Sequence, residues 1–376
     1  MANTLTALAP TLFGAAQVVS QEPVGVLDAI SMNFDDKGVA IGDTIKVPIA
    51  PTRAFKTYTP AMTPSAGDDA VAAGVAIQIT QNGMVDWHLT GEQIRSLENG
   101  ADYDEWLRQM MVQGMRTLRN QAEADAAAAV KTGASRAVGT AGTTPFGADI
   151  NLIPSLYKIL RDNGAPMADL NLVIDSAAGL NLRKLGIIQQ AYQAGNDQER
   201  RSGNLLRQFG FAITESAGIA LHTKGTGTLY VTSGSTAPKV TDIALVTGSG
   251  TVLAGDVVTF AADSNNNYVI NTGVTAPGTI SLGRPGARVT IATANAMTIG
   301  GNYTPNVAFE RSAVVGVMRP PLIPANPTIE QLMVSDAKGL TYLLCKVVGD
   351  GMVTFRLHLA WGFKVVNPEH VALLMG

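Results

Sequence analysis

Charge is scarce in this chain. Asp, Glu, Lys and Arg make up 15% of the 376 residues and the net charge is −3, where globular proteins usually carry charge at about a quarter of positions. A chain that coats nucleic acid through a general basic excess is excluded, because phosphate binding calls for clustered Lys and Arg. Cysteine is nearly missing: Cys345 stands alone, so no intrachain disulfide can form, packing has to supply the stability, and a reducing intracellular compartment fits. Lys and Arg are absent before Lys37. The fairly apolar stretch from Met1 to Val19 therefore lacks the basic region that opens a secretory signal, and Pro10 and Gly14 break it. No apolar run approaches the roughly twenty residues that span a bilayer, so no membrane partner is expected.

Catalytic signatures are equally sparse. Without a Gly-Lys dipeptide there is no Walker-type phosphate loop, and the glycine-rich stretch from Gly248 to Gly255 misses the dinucleotide spacing and reads as a hairpin loop. No Gly-x-Ser-x-Gly elbow presents a serine. His88, His222, His358 and His370 lie far apart at no metal-ligand spacing and read as ordinary structural or surface histidines. Asp35-Asp36 and Asp68-Asp69 read as solvated turns, because no further carboxylates sit at ligand spacing. No enzyme activity, cofactor or metal is expected.

A composition 46% hydrophobic, with 39 Gly, is globular, long enough for two or three domains, and suited to extensive partner contacts. Residues 1–34 read as an arm with two short helical pieces. The second runs around Pro23 to Met32, where Val24, Leu27 and Ile30 recur at helical spacing. It needs a partner surface, on its own body or on a neighbour. From Gly42 to Trp87, alternation in Ile45, Val47, Ile49 and in Val75, Ile77, Ile79 gives two strands of a long hairpin. A two-stranded ribbon is marginal in water, so it is expected to lie on another subunit.

The clearest helix spans 103–131, roughly 44 Å at 1.5 Å per residue. On a helical wheel Leu107, Met110, Met111, Met115, Leu118 and Ala122 share one half. Glu105, Arg108, Gln109, Gln113, Arg116, Arg119, Asn120 and Glu123 share the other, while Val112 and Asp125 break the pattern. Helix and strand then alternate: helix 152–162, buried strand 170–174, helix 177–185 and strand 211–215. Strands are expected again over 308–318 and 340–363, then 363–366, with an apolar tail at 371–375. This is an α+β body split in sequence. The interruption, Lys224 to Asn302, is rich in Gly, Thr, Ser, Asn and Val. Its six short apolar runs, at 228–231, 242–246, 257–260, 268–270, 279–282 and 289–292, are separated by turn clusters and predict a small antiparallel β-barrel.

This order of parts resembles the major capsid proteins of tailed bacteriophages, specifically the short-tailed-phage type with an inserted β-rich domain. The resemblance rests on the arm, the hairpin ending in Met84-Val85-Asp86-Trp87-His88-Leu89-Thr90, and the long helix. It rests further on Leu172-Val173-Ile174-Asp175-Ser176-Ala177-Ala178, Gly210-Phe211-Ala212-Ile213-Thr214-Glu215-Ser216 and Val307-Ala308-Phe309-Glu310-Arg311-Ser312-Ala313. It implies an N-terminal arm (1–41), an extended hairpin (42–87), a peripheral domain with its spine helix (88–149 and 346–376), an axial domain (150–223 and 303–345) and the inserted barrel (224–302). It also implies many copies of the chain closing as pentamers and hexamers into an icosahedral procapsid, with a scaffolding protein, a portal protein and packaged double-stranded DNA as partners, the chain residing in the virion. Encapsulin-type compartments share the fold, and a binding module with a β-rich appendage is the distant alternative.

On that resemblance, Phe13, Val24 and Leu27 in the arm and Arg53, Lys56, Asp68 and Asp69 in the hairpin are candidate contacts between subunits. Arg108, Arg116 and Arg119 on the polar half of the helix could face DNA without base readout, or an acidic scaffold. The plainer reading is a solvated face partly neutralised by Glu105 and Glu123. An isopeptide bond from Lys46 or Lys56 to Asn367 is formally available, but no local sequence marks it and noncovalent contacts alone are expected.

Overall fold

The computed structural model describes residues 22–34, 39–49, 73–99, 103–189, 207–324, 329–335, 340–349 and 351–376. Its spine is the helix Tyr103–Thr132, 30 residues long. Leu107, Met111, Met115, Leu118, Ala122, Ala126 and Val130 fall three or four residues apart and are all buried, as one face of a helical period demands.

That face packs on a six-stranded sheet. The longest strand, Met352–Val365, carries Gln81–Thr90 along one edge; along the other, Thr341–Val348 pairs with its first half and Val314–Arg319 with its second. Ile329–Ser335 extends the sheet beyond Thr341–Val348, and Ser31–Phe34 joins parallel to Val314–Arg319. Alternate residues Phe355, Leu357, Leu359 and Trp361 turn toward the helix, following the period of two. Trp87 stacks on its cross-strand neighbour Phe355 at 5.8 Å.

A second sheet runs Phe211–Glu215, Leu170–Ile174, Pro305–Glu310, Val371–Met375 and Arg136–Val138. Helices Leu152–Asp162 and Ser176–Lys184 cover it, burying Ile153, Leu156, Leu160 and Leu182 against Leu172, Ile174, Ala308 and Leu374. Asp175 starts the second of these helices by accepting the backbone N–H of Ala178 at 3.0 Å and of Ala177 at 3.3 Å, the usual N-cap arrangement.

The expected domain boundaries do not follow the sheets. The strand expected over 308–318 is two strands, Pro305–Glu310 and Val314–Arg319, and the 3-10 turn Arg311–Ala313 between them carries the chain from the second sheet to the first. Strand Thr341–Val348 crosses the boundary placed at 345/346. The tail Val371–Met375 pairs with Pro305–Glu310 and so belongs with the sheet over 150–223. Apolar runs mark these strands but do not say which sheet each joins. Ile329–Ser335 is a further strand, lying between the two stretches expected to be extended, and its half-exposed residues carry no regular apolar pattern.

The 224–302 segment holds strands Val231–Thr232, Asp242–Val246, Val257–Phe260, Asp263–Thr272, Thr279–Leu282 and Met297–Ile299. Of the expected runs, 289–292 forms only the single bridge Ile291 to Thr236. The segment has its own core of Tyr230, Ile243, Leu245, Phe260, Tyr268, Ile270 and Ile280. It is also continuous with the body, since Asn267 and Tyr268 pair with Ala137 and Arg136, and Val257 and Val269 face the main core.

Candidate functional site

The arm reaches the body through residues 22–34. Its helix is shorter than expected, Gly25–Ala29, and strand Ser31–Phe34 follows directly. Val24 and Leu27, expected at a neighbouring subunit, are buried at 5% and 6% exposure within this chain. The carboxylate of Glu123 ties this turn to the long helix: it accepts the N–H groups of Val26 and Leu27, each at 2.8 Å, and the hydroxyl of Ser216 at 2.5 Å. Those two N–H groups belong to the first turn of the helix and have no partner inside it. Burial pushes the Glu123 carboxyl above its ordinary value, with a smaller push from Asp28, against the pull of these hydrogen bonds. Gly25 lies so close to the Glu215 carbonyl that an added Cβ would sit 2.5 Å from its oxygen. Phe13 lies outside the described residues.

The hairpin base forms as expected, Thr44–Ile49 against Ala73–Gln78, with Ile45 opposite Ile77 and Val47 opposite Val75. Its apolar face is covered in part by the same chain: Ile77 and Ile79 are buried with Val39, Val317 and Ala360. Lys364 adds a tie by donating from Nζ to the Ala76 carbonyl at 3.0 Å. Arg53, Lys56, Asp68 and Asp69 lie outside the described residues, and Lys46 is exposed on the hairpin.

The three helix cations do not form a free basic stripe. Arg108 is paired with Glu105 at 2.8 Å on the exposed face, and its guanidinium, with Gln109, holds that carboxyl at about 2. Arg116 pairs with Glu22 from the arm. Arg119 is only 3% exposed and lies 3.6 Å from Asp28. The arm root therefore occupies the helix face assigned to solvent, and buries Arg119 and Glu123 with it. A helical wheel cannot anticipate a second covering element supplied from a hundred residues upstream.

His222, expected to be an ordinary structural or surface histidine, sits beside two charged side chains. Its ring lies 2.9 Å from Asp256 and 3.3 Å from Lys131, positions whose separations of 34 and 91 residues give no local signal. Among the described residues, no group of three or more His, Cys, Asp or Glu could hold a metal ion, and no helix is long and apolar enough to cross a membrane. What the geometry offers is a set of covering segments, arm root and hairpin, laid over a two-sheet body.

No family model and no curated protein matches the chain. Solved structures do. The capsid structure of the cyanophage P-SCSP1u matches with a TM-score of 0.50 at 13% identity, over 95% of this chain and 89% of that one. The mature capsid of bacteriophage PhiM1 matches at 0.46 and 12% identity, over 93% and 86%. A virus-like particle from Pyrococcus furiosus matches at 0.47 and 11% identity, over 98% of both chains. The likeness to the cyanophage capsid, running nearly end to end, shows that the mixed α+β fold of this chain is the tailed-phage capsid fold.

Proposed function

We propose that this protein is a major capsid protein, many copies of which close into an icosahedral shell around a phage double-stranded DNA genome. The observation that carries the reading is the likeness over 95% of the chain to the cyanophage capsid, with arm, hairpin and long helix in the expected order. Assembly by such a chain needs no catalytic group. Many repeated interfaces, each withdrawing apolar surface from water at roughly 25 cal/mol per Å², become durable once symmetry closes.

A scaffolding protein, a portal protein and sequence-blind DNA contact belong to this reading as expected partners. With Arg119 buried against Asp28, the DNA or scaffold contact falls to Arg108 and Arg116, each paired with a carboxylate but still partly exposed, and to residues elsewhere. The arm's contacts with neighbours fall to residues before Glu22, including Phe13, and those of the hairpin to its distal part, including Arg53, Lys56, Asp68 and Asp69. The 224–302 segment reads as a small antiparallel barrel. In support, its pairings follow a ring from Val231–Thr232 through Asp242–Val246, Thr279–Leu282, Asp263–Thr272 and Val257–Phe260 to Met297–Ile299, and Val231 bridges Ala296 to complete it.

Sedimentation of the full chain expressed in bacteria tests the reading. Fast-sedimenting particles tens of nanometres across are expected, and a compact small oligomer at every concentration tried, with and without a candidate scaffold, would contradict it.

A further inference from the structure

Where the 224–302 segment leaves and rejoins the body, three ionisable side chains from distant stretches form one line, buried at His222 and Asp256 and half-buried at Lys131. Lys131, in the last turn of the long helix, places Nζ 3.3 Å from Nδ1 of His222. His222 Nε2 lies 2.9 Å from Asp256 Oδ1, with His222 6% and Asp256 0% exposed. The Asp256 carboxylate also accepts the N–H of Gly225 at 3.1 Å and of Leu253 at 2.7 Å. The two ends of the segment meet here, since His222 and Tyr303 exchange backbone hydrogen bonds of 2.8 and 3.2 Å.

This pattern fixes where the imidazole proton sits. An ammonium only donates and a carboxylate only accepts, so Nδ1 must hold a lone pair toward Lys131 and Nε2 must carry the hydrogen toward Asp256. His222 is neutral in this arrangement. We propose that the Lys131–His222–Asp256 line is a proton-operated latch: neutral His222 seats the 224–302 segment on the long helix, and a proton taken up at Nδ1 breaks the bond to Lys131 and loosens that seat.

The groups facing His222 pull in two directions: the Asp256 carboxylate favours an imidazolium and the Lys131 ammonium opposes it. A protonated Nδ1 would point an N–H at the half-buried Lys131 ammonium, whose charge burial already disfavours, replacing a hydrogen bond by a like-charge contact. Asp256 keeps its bond to Nε2 in either state, so the loss falls on the tie to the helix. Tyr303, whose ring centre is 5.2 Å from the imidazole, donates its hydroxyl to the Gly255 carbonyl at 2.5 Å. Burial, then Asp256, pushes its ionisation upward, so it stays a neutral donor throughout. Gly255 closes the site tightly: its φ is +92° and a Cβ there would meet Lys131 Cε at 3.1 Å. The latch is independent of the shell reading, because it concerns one chain.

Hydrogen exchange on the full chain, corrected for intrinsic rates and compared between about pH 7.5 and about pH 5.5, tests it. Peptides covering 222–226 and 252–256 are expected to lose protection by about tenfold on acidification while 170–174 holds. His222→Gln, which can still donate to Asp256 but cannot titrate, should show equal protection at both pH values. Lys131→Met, which removes the opposing ammonium, should abolish the fall while leaving His222 in place. Equal protection in the unaltered chain at both pH values, or a fall that persists in both variants, overturns the latch, as does a nitrogen NMR spectrum showing the Nδ1–H tautomer at neutral pH.

Discussion

Trp361 donates its indole N–H to Asp125 at 2.8 Å, bonding the longest strand of the first sheet to the long helix. Asp125 is the residue that breaks the apolar arc of the helical wheel, and this bond is its reason for being there. Asp125→Ala should cost about 1–3 kcal/mol, the usual penalty for stranding a buried donor. Asp125→Asn, which still presents an acceptor, should cost less. Urea denaturation followed by tryptophan fluorescence reads both.

Glu123 sets a pH dependence of opposite sign to that of a salt-bridged carboxylate. Its folded value is raised, chiefly by burial, so the stability it contributes is full below the ordinary carboxylate value of about 4.3 and is lost as pH rises through the folded value. Glu123→Gln removes that component and sets an amide NH2 against the N–H donors of Val26 and Leu27. The variant should be less stable by about 1–3 kcal/mol at neutral pH, and the gap to the unaltered chain should widen on acidification. Urea midpoints across a pH series give the answer; a gap that narrows toward acid would refute the assignment.

Truncations should separate the arm from its root. Residues 22–34 bury Val24, Val26, Leu27 and Ile30 and add a strand to the first sheet, and a buried side chain of this kind is worth about 1.5–3 kcal/mol. Deletion of 1–21 should leave thermal unfolding of the body nearly unchanged while altering particle formation. Deletion of 1–34 should lower the melting temperature or prevent soluble expression. Equal melting curves for the two truncations would remove the structural role of the root.

Excising 226–300 should harm more than the segment itself. Strand Asp263–Thr272 covers the edge of Arg136–Val138, and Val257 and Val269 fill the main core. A short Gly/Ser linker, although it can join the adjacent ends, exposes that edge and leaves the core incomplete. Lower yield, and dye binding by the soluble fraction, are expected; a body as stable as the full chain by urea denaturation would contradict this.

Much of the fold was legible because its signals are local. The apolar runs over Leu170–Ile174, Phe211–Glu215 and Val257–Phe260, and the helical period from Leu107 to Ala122, match the elements that form. What was not legible is long-range. No pattern near Arg119 announces that Asp28 will cover it, and nothing at His222 announces Lys131 and Asp256. Equally, no feature of Val371–Met375 says that it pairs with Pro305–Glu310. The contact residues at the distal hairpin and early arm rest on resemblance alone, because they lie outside the described residues.

The most direct measurement is an electron cryomicroscopy reconstruction of the material formed by the full chain. The account predicts closed icosahedral shells in which one subunit density accepts the two-sheet body and long helix, with residues before Glu22 and the hairpin beyond Ile49 reaching onto neighbours. Discrete small particles without closed symmetry, in which those segments fold back on their own subunit, would contradict it.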